Sequence, residues 1–322
     1  MKEEQKINNN EIKLDNEILE ILLIDNTTSK NIIWATNEYE LLGKDYGFDK
    51  QILLNQITGT NNVIIPRIMK TLHKKQQRVK ENAEVFTPSW ICNKQNNLVD
   101  NKWFNSENVF NKEIGNAWEP TKNKIEFPEG KQWQEYVSLS RMEITCGEAP
   151  YLVSRYDAVT GCPIELNHRI GFLDRKLRIV SENVNDEDEW IKWAIIAMKN
   201  IYGYDWQGDN VLISRKNLLY TFIDYYKFKF NKMVNTDLLK EVSKIISWNI
   251  WQMDGIKCVV PNSCKNEIII DYTLFGNIEK SAECMGCKKS DLKKHNGTYC
   301  KIMNWEKNKP VKFVSLIGMK KV

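Results

Sequence analysis

Apolar residues recur with a helical period from Asp186 onward. Trp190, Trp193, Ala194, Ala197, Met198 and Ile201 fall on one face, and acids gather at the start. The period then breaks into a short strand pattern, Ile201-Tyr202-Gly203-Tyr204-Asp205. A turn at Trp206-Gln207-Gly208 leads to a second helix, predicted from Asn210 to near Lys227 by Leu212, Leu218, Leu219 and Phe222. A third helix, Asp237 to Ser247, runs into Trp248-Asn249-Ile250-Trp251-Gln252-Met253-Asp254-Gly255, again a strand that ends in an acid. Helices alternating with such strands predict an α/β protein. Its doubly wound, Rossmann-like parallel sheet would carry a ligand over the carboxyl edge.

The stretch from Arg141 to Arg155 follows the same grammar. Glu143 ends a strand, Gly147 makes a tight turn and Pro150 begins a helix, which is the form of a loop that holds a small cofactor. Earlier, Phe86-Thr87-Pro88 precedes a helix running through Leu98, with Pro88 in the first turn, where its missing N–H costs nothing. A ring face, a hydroxyl and free amide donors suit a ligand with an aromatic part and a carboxylate. As structure alone, the same residues are a helix entry with a buried Phe. At Asp205 and Trp206 an acid at a strand tip lies beside a large ring, which suits a nucleoside: ribose on the carboxylate, base on the ring. As structure alone, Asp205 is a turn or capping residue.

The remaining segments carry less chemistry. Residues 1–80 read as an N-terminal mixed region, with a helix near Glu17 to Asp25, a strand near Asn31 to Thr36 and a solvated basic helix from Lys70 to Lys80. Asn101 to Gln132 and residues 156–185 read as insertions into a core spanning 81–256.

At 322 residues the chain is long enough to bury a real core, and its net charge of +4 says little about the whole. The charge is unevenly placed. From Gly255 to Val322 there are thirteen lysines against six acids, a local +7 that leaves −3 for the rest. Such an end suits a nucleic-acid backbone, or is simply a solvated tail. Met1 to Asn10 is charged and polar, unlike a signal peptide, and no apolar run reaches membrane-spanning length. A cytoplasmic location without membrane contact is expected, so the eight cysteines should be thiols or metal ligands. Cys92, Cys146, Cys162 and Cys258 stand alone. In the segment 257–322, Cys284-Met-Gly-Cys287 with Cys264 before it and Cys300 after it can close a tetrahedral zinc site, and His295 can substitute for one thiolate.

Taken in order, these pieces resemble the adenine-specific DNA methyltransferases of restriction–modification systems, the modification-subunit type. Glu84-Val85-Phe86-Thr87-Pro88 is similar to that family's N-terminal cofactor motif. Glu143-Ile144-Thr145-Cys146-Gly147-Glu148-Ala149 is similar to its glycine loop, Ile201 to Asp205 to its ribose strand, and Asn249 to Asp254 to the strand whose acid meets the adenine amino group. The likeness covers residues 81 to 256 and extends, in a phage- and gut-bacterial group labelled restriction endonuclease subunit M, through the cysteine cluster.

The resemblance implies S-adenosylmethionine as cofactor and DNA as partner, with a separate specificity or restriction subunit. Phe86, Thr87 and Pro88, with Glu143, Cys146 and Gly147, would meet the methionine end. Asp205 would bind ribose, Trp206 would stack on adenine, and Asp254 would take its amino group. Two departures stand out: Ala149 replaces the second glycine, and the catalytic Asp/Asn-Pro-Pro-Tyr/Phe is absent after Asp254. Ile302-Met303-Asn304-Trp305 would be its degenerate substitute, Asn304 and Trp305 serving as catalytic amide and ring. The alternative is a catalytically inactive protein that keeps the fold for DNA binding or for a defence or anti-defence interaction.

Overall fold

The computed structural model describes residues 13–59, 63–70, 86–273 and 276–318. Helix α1 (Asn16–Leu23) buries Ile18, Leu19, Leu22 and Leu23 and leads into a small hairpin of β1 (Ile24–Asp25) and β2 (Lys30–Asn31). One turn, α2 (Leu54–Ile57), follows. Helix α3 (Ser89–Phe104) precedes a hairpin of β3 (Asn111–Ile114) and β4 (Ala117–Pro120), and α4 (Trp133–Ser138) leads into β5 (Arg141–Ile144). Then come α5 (Phe172–Asn183), α6 (Glu187–Lys199), β6 (Ile201–Asp205), α7 (Gly208–Phe230), α8 (Thr236–Asn249) and β7 (Ile250–Gln252). The chain closes with a hairpin of β8 (Glu267–Thr273) and β9 (Gly276–Ala282), a short helix α9 (Met285–Lys289), and a hairpin of β10 (Lys301–Asn304) and β11 (Lys309–Lys312).

Strands β5, β6 and β7 form one parallel sheet in chain order, with Ile144 opposite Tyr204 and Asp205 opposite Gln252. Two helices fill each crossover, as parallel pairing demands. The architecture is mixed α/β around a three-stranded parallel sheet.

The helix expected at Pro150 does not form; residues 147–152 are turns, and helix resumes only at Phe172, inside the stretch read as an insertion. The reason is a close crossing. Phe172 and Leu173 donate their N–H groups to Tyr151 and Leu152, and a Cβ on Gly171 would lie 2.4 Å from the Leu152 carbonyl oxygen. The strand expected near Asn31 to Thr36 is reduced to the β2 pairing and one bridge, Ile33 with Gln51.

Helix α3 is polar yet buried, which its sequence pattern disguises. Asp100 accepts from Arg175 (2.6 Å), the Tyr136 hydroxyl (2.8 Å) and Arg141 (3.3 Å). Asn93 and Asn97 accept from the same Arg175 guanidinium and donate to Asn111. A buried ion pair is tolerated when its remaining hydrogen-bond capacity is met, and here asparagines meet most of it. Arg215 plays a comparable part, donating to the carbonyls of Leu22, Ile24, Ser247 and Ile250 and so tying the ends of α1 and α8 to β7.

The N-terminal residues share the core of the sheet region: Ile18, Leu22 and Trp34 belong to one buried cluster with Leu212 and Ile246. Gly208 makes that docking feasible. Its N–H reaches Trp34 at 3.1 Å, and a Cβ there would sit 2.0 Å from the Ile33 carbonyl oxygen. A second buried cluster joins Tyr204, Trp251 and Met253 to Cys258, Cys300, Ile302 and Val314, seating the C-terminal hairpins beside β6 and β7. Among the described residues no helix is long and apolar enough to cross a membrane.

Candidate functional site at the carboxyl edge and metal cluster

Strand β5 delivers Glu143 to the sheet opposite Gly203, and the chain then turns through a strained loop. Thr145, Gly147 and Ala149 have positive φ of 47°, 53° and 64°. Glycine accepts such angles freely, whereas a β-branched threonine and an alanine do not. Ala149 thus sits in a conformation that favours glycine.

Asp205 closes the loop from the neighbouring strand. One carboxylate oxygen accepts from Gly147 N–H at 2.9 Å, the other from Gln207 N–H at 3.0 Å and Asn210 at 3.4 Å. Burial pushes the Asp205 carboxyl up to about 6, against the pull of these hydrogen bonds. Glu143 is 9% exposed, and its Oε2 has no partner among the described residues. Burial raises its carboxyl well above the ordinary range against the pull of the Tyr151 and Leu152 backbone N–H groups, and the nearby Asp205 charge adds to the rise. Cys146 is buried, its thiol raised by that burial, and it packs against Gly203, where a Cβ would lie 3.3 Å from its sulfur.

Phe86 completes the group: a Cβ on Gly147 would come within 3.2 Å of its ring, over which the Arg67 guanidinium lies at 5.0 Å. Phe86, Glu143, Cys146, Gly147 and Asp205 are therefore gathered at the carboxyl edge. Glu84 and Val85, which precede Phe86 in the expected cofactor stretch, lie outside the described residues, as do residues 71–80 of the expected basic helix.

Other expected contributors are differently engaged. Pro88 caps α3 from outside it, and Ser89 N–H is not free for a ligand, since Asp157 accepts from it at 2.6 Å. Burial alone would raise Asp157, but the bonds from Ser89 and Thr160 outweigh it and hold its carboxyl low. Thr87 is partly exposed, and its carbonyl accepts from the Cys92 thiol. Trp206 donates its indole N–H to the Ala35 carbonyl at 3.1 Å. Asp254 follows β7 closely, but one of its carboxylate oxygens accepts from Ile256 and Lys257 N–H in its own turn.

Asn304 and Trp305 are not at this edge. The Trp305 indole donates to Asn249 at 2.8 Å, Asn249 donates to Met198, and Lys199 lies over the Trp305 ring. Asn249 immediately precedes β7 and Met198 lies three residues before β6, so the pair sits at the amino edge, the opposite end of the strands. The Asn304 side chain accepts from Lys307 N–H in the β10–β11 turn. The expectation that these two residues face the cofactor loop is corrected: they close a hairpin against the start of the sheet.

The metal cluster keeps three of its four expected thiolates and exchanges the fourth. Cys264, Cys284, Cys287 and His295 present ligand atoms within 4.8 Å of one another. The Cys264 sulfur lies 3.2 Å from Cys284 and 3.7 Å from Cys287, and His295 Nδ1 lies 3.6, 3.6 and 3.7 Å from the three sulfurs. A tetrahedral zinc with Zn–S of about 2.3 Å and Zn–N of about 2.0 Å sets ligand separations of about 3.5 to 3.8 Å. Apart from the 3.2 Å pair, these separations match that tetrahedron, so the donor set fits zinc.

Cys300 is not part of the set; its thiol points to the Gln252 carbonyl at 3.4 Å within the second buried cluster. Backbone N–H groups of Cys287 and Asn296, with the Cys264 and His295 side chains, overcome burial and hold the Cys284 thiol down at about 5. Gly286 lets the turn close, since a Cβ there would meet His295 Nδ1 at 2.6 Å.

Sequence patterns missed several contributors. Glu148, within the loop, is buried and accepts from Arg67 N–H (2.5 Å) and the Tyr156 hydroxyl (2.6 Å). Lys70, read as part of a solvated face, is buried against Asp209 at 2.9 Å, which also accepts from the Tyr39 hydroxyl. Only the Asp157 cap had a local signal, its turn with Thr160.

No protein-family model, curated protein or solved structure matches the chain.

Proposed function

We propose that the chain is an S-adenosylmethionine-binding, methyltransferase-like protein of Rossmann-like class that engages DNA. The observation that carries this reading is the union of ring, glycine turn and strand-end acid: Phe86 packs on Gly147, whose N–H is bonded to Asp205 across the sheet. Positive φ at Thr145 and Ala149 adds support, because strain concentrates where a loop serves a ligand. So does the buried Glu143 Oε2, which meets no hydrogen-bond donor among the described residues and could accept from a ligand ammonium. The ammonium and sulfonium of the cofactor are both cations. Glu143 and Gly147 would hold its methionine end, Asp205 its ribose and Trp206 its adenine. Each Asp205 oxygen has two lone pairs, so a ribose hydroxyl can join the Gly147 N–H on Oδ2.

Bound cofactor would supply a transferable methyl group; whether it is transferred is a separate matter. The sequence has no Asp/Asn-Pro-Pro-Tyr/Phe after Asp254, and its nearest substitute lies at the amino edge. The favoured reading is therefore a cofactor-binding protein that uses the fold to engage DNA or a defence partner. Adenine methylation, which requires a base flipped into a pocket, is the second reading. Zinc on Cys264, Cys284, Cys287 and His295 would be structural, with all four positions taken by protein.

Calorimetry with S-adenosylmethionine and its demethylated product tests the pocket. The wild-type chain should bind both, and Asp205→Ala should lose at least tenfold (about 1.4 kcal/mol). No heat from either compound with the wild type would sink the reading. If binding is found, resistance of plasmid DNA from expressing cells to adenine-sensitive restriction selects the second reading, and full cleavage selects the first.

A further inference from the structure

We propose that the loop Lys288–Lys294, together with the β10–β11 hairpin, forms a docking face for the phosphate backbone of duplex DNA, and that the metal cluster is the staple that shapes it. The proposal rests on the DNA-directed part of the reading above, but not on the cofactor pocket.

Charge is the first argument. Residues 284–318 hold eight lysines against two acids, whereas the remainder of the chain carries 38 basic and 40 acidic residues, a net −2. All eight lysines are exposed. Lys294 pairs with Asp291 at 3.2 Å, while Lys288, Lys289, Lys293, Lys301, Lys307, Lys309 and Lys312 form no ion pair among the described residues. A surface with so little internal compensation attracts a polyanion.

Register is the second. Lys301 stands directly opposite Lys312 across β10 and β11. Like charges in that position weaken a hairpin, and an anion bound between them would reverse the sign.

The third argument is the way the loop is closed. Its lysines lie between two metal ligands, Cys287 and His295, so the ion would tie both ends of a seven-residue loop. Within it, Asp291 accepts from Lys293 N–H at 3.0 Å, Asp291 N–H reaches Gly286, and Ser290 is left-handed. The loop flanks an open groove of about 450 Å³, lined by Lys289 and Lys293 together with Leu292, Val314 and Ile317.

Duplex is favoured over single strand because the hairpin's aromatic rings are taken. Lys312 lies over Tyr299 at 5.6 Å, and Trp305 is held by Asn249 and Lys199. Single-strand binders rely on rings open for base stacking, whereas duplex phosphates need only the cations.

The test uses the full chain loaded with zinc and a fluorescein-labelled mixed-sequence duplex, followed by anisotropy between about 50 and about 200 mM salt. Lys289→Glu with Lys293→Glu should weaken binding at least tenfold and make the log–log salt slope shallower by about 1.8, two phosphate contacts at about 0.9 each. The milder pair Lys301→Gln with Lys312→Gln should shift the slope the same way. A control pair on α6 and α8, Lys192→Glu with Lys244→Glu, carries the same charge change and should leave the slope alone. Stripping the metal with a chelator should mimic the loop pair.

Wild-type slopes in both lysine pairs, or an equal loss in the control pair, would overturn the proposal. So would tighter binding to a single strand of equal length, or displacement of the duplex by poly-glutamate at equal charge. Cofactor calorimetry on the same variants should be unchanged, so failure here is distinct from failure of the pocket.

Discussion

Replacing His295 by alanine tests the metal cluster more sharply than any cysteine change, because spacing alone nominates Cys300 and geometry nominates the histidine. His295 Nδ1 lies 3.6 to 3.7 Å from all three sulfurs, the edge length of a zinc tetrahedron. Structural zinc contributes about 10 to 16 kcal/mol in small metal-folded domains; shared over four ligands, that is about 2.5 to 4 kcal/mol each. His295→Ala should therefore weaken zinc by roughly a hundredfold to a thousandfold, less whatever water in the fourth position restores. The Cys300 thiol is held by the Gln252 carbonyl in an apolar cluster, so Cys300→Ser should keep wild-type affinity. His295→Cys should recover most of the loss, since a thiolate also completes a tetrahedral site. Competition against a chromogenic chelator reads all three affinities. If Cys300→Ser sheds zinc as readily as His295→Ala, or His295→Ala holds it like wild type, the assignment fails.

Two further outcomes probe the carboxyl edge. Folded Asp205 keeps its proton to about 6 while the unfolded chain releases it near 3.8, so stability falls as pH rises through that window. About 1 to 1.5 kcal/mol of that loss should fall between about pH 5 and about pH 7.5 and vanish in Asp205→Asn; urea melts with equal pH dependence in both proteins would refute it. Ala149 holds a φ of 64°, which costs an alanine about 1 to 2 kcal/mol, of which glycine's greater unfolded entropy takes back about 0.5 to 1. The Ala149 methyl is fully buried, and losing it costs about 0.8 kcal/mol, so Ala149→Gly should leave stability within about 1 kcal/mol of wild type in the same melts; a loss above that size would contradict the loop conformation.

Local pattern determined the elements around the sheet. The apolar face of α6, the strand ending at Asp205 and the helix–strand alternation through β7 all depend on periodicities set by the backbone, so they were readable residue by residue. The Cys-x-x-Cys turn was readable for the same reason, since two ligands three residues apart share one turn. What the sequence left open were choices among distant partners. Whether His295 or Cys300 completes the metal set depends on which of them turns toward the Cys264 sulfur and which toward the Gln252 carbonyl. Whether Asn304 and Trp305 reach the loop from Glu143 to Ala149 depends on β10 running back toward the start of β7. Helix α3 defeated pattern reading because its asparagines and Asp100 are buried by a guanidinium that enters from α5. A single chain position carries no mark of a partner dozens of residues away, and burial of polar groups is decided only when tertiary packing brings those hydrogen bonds together.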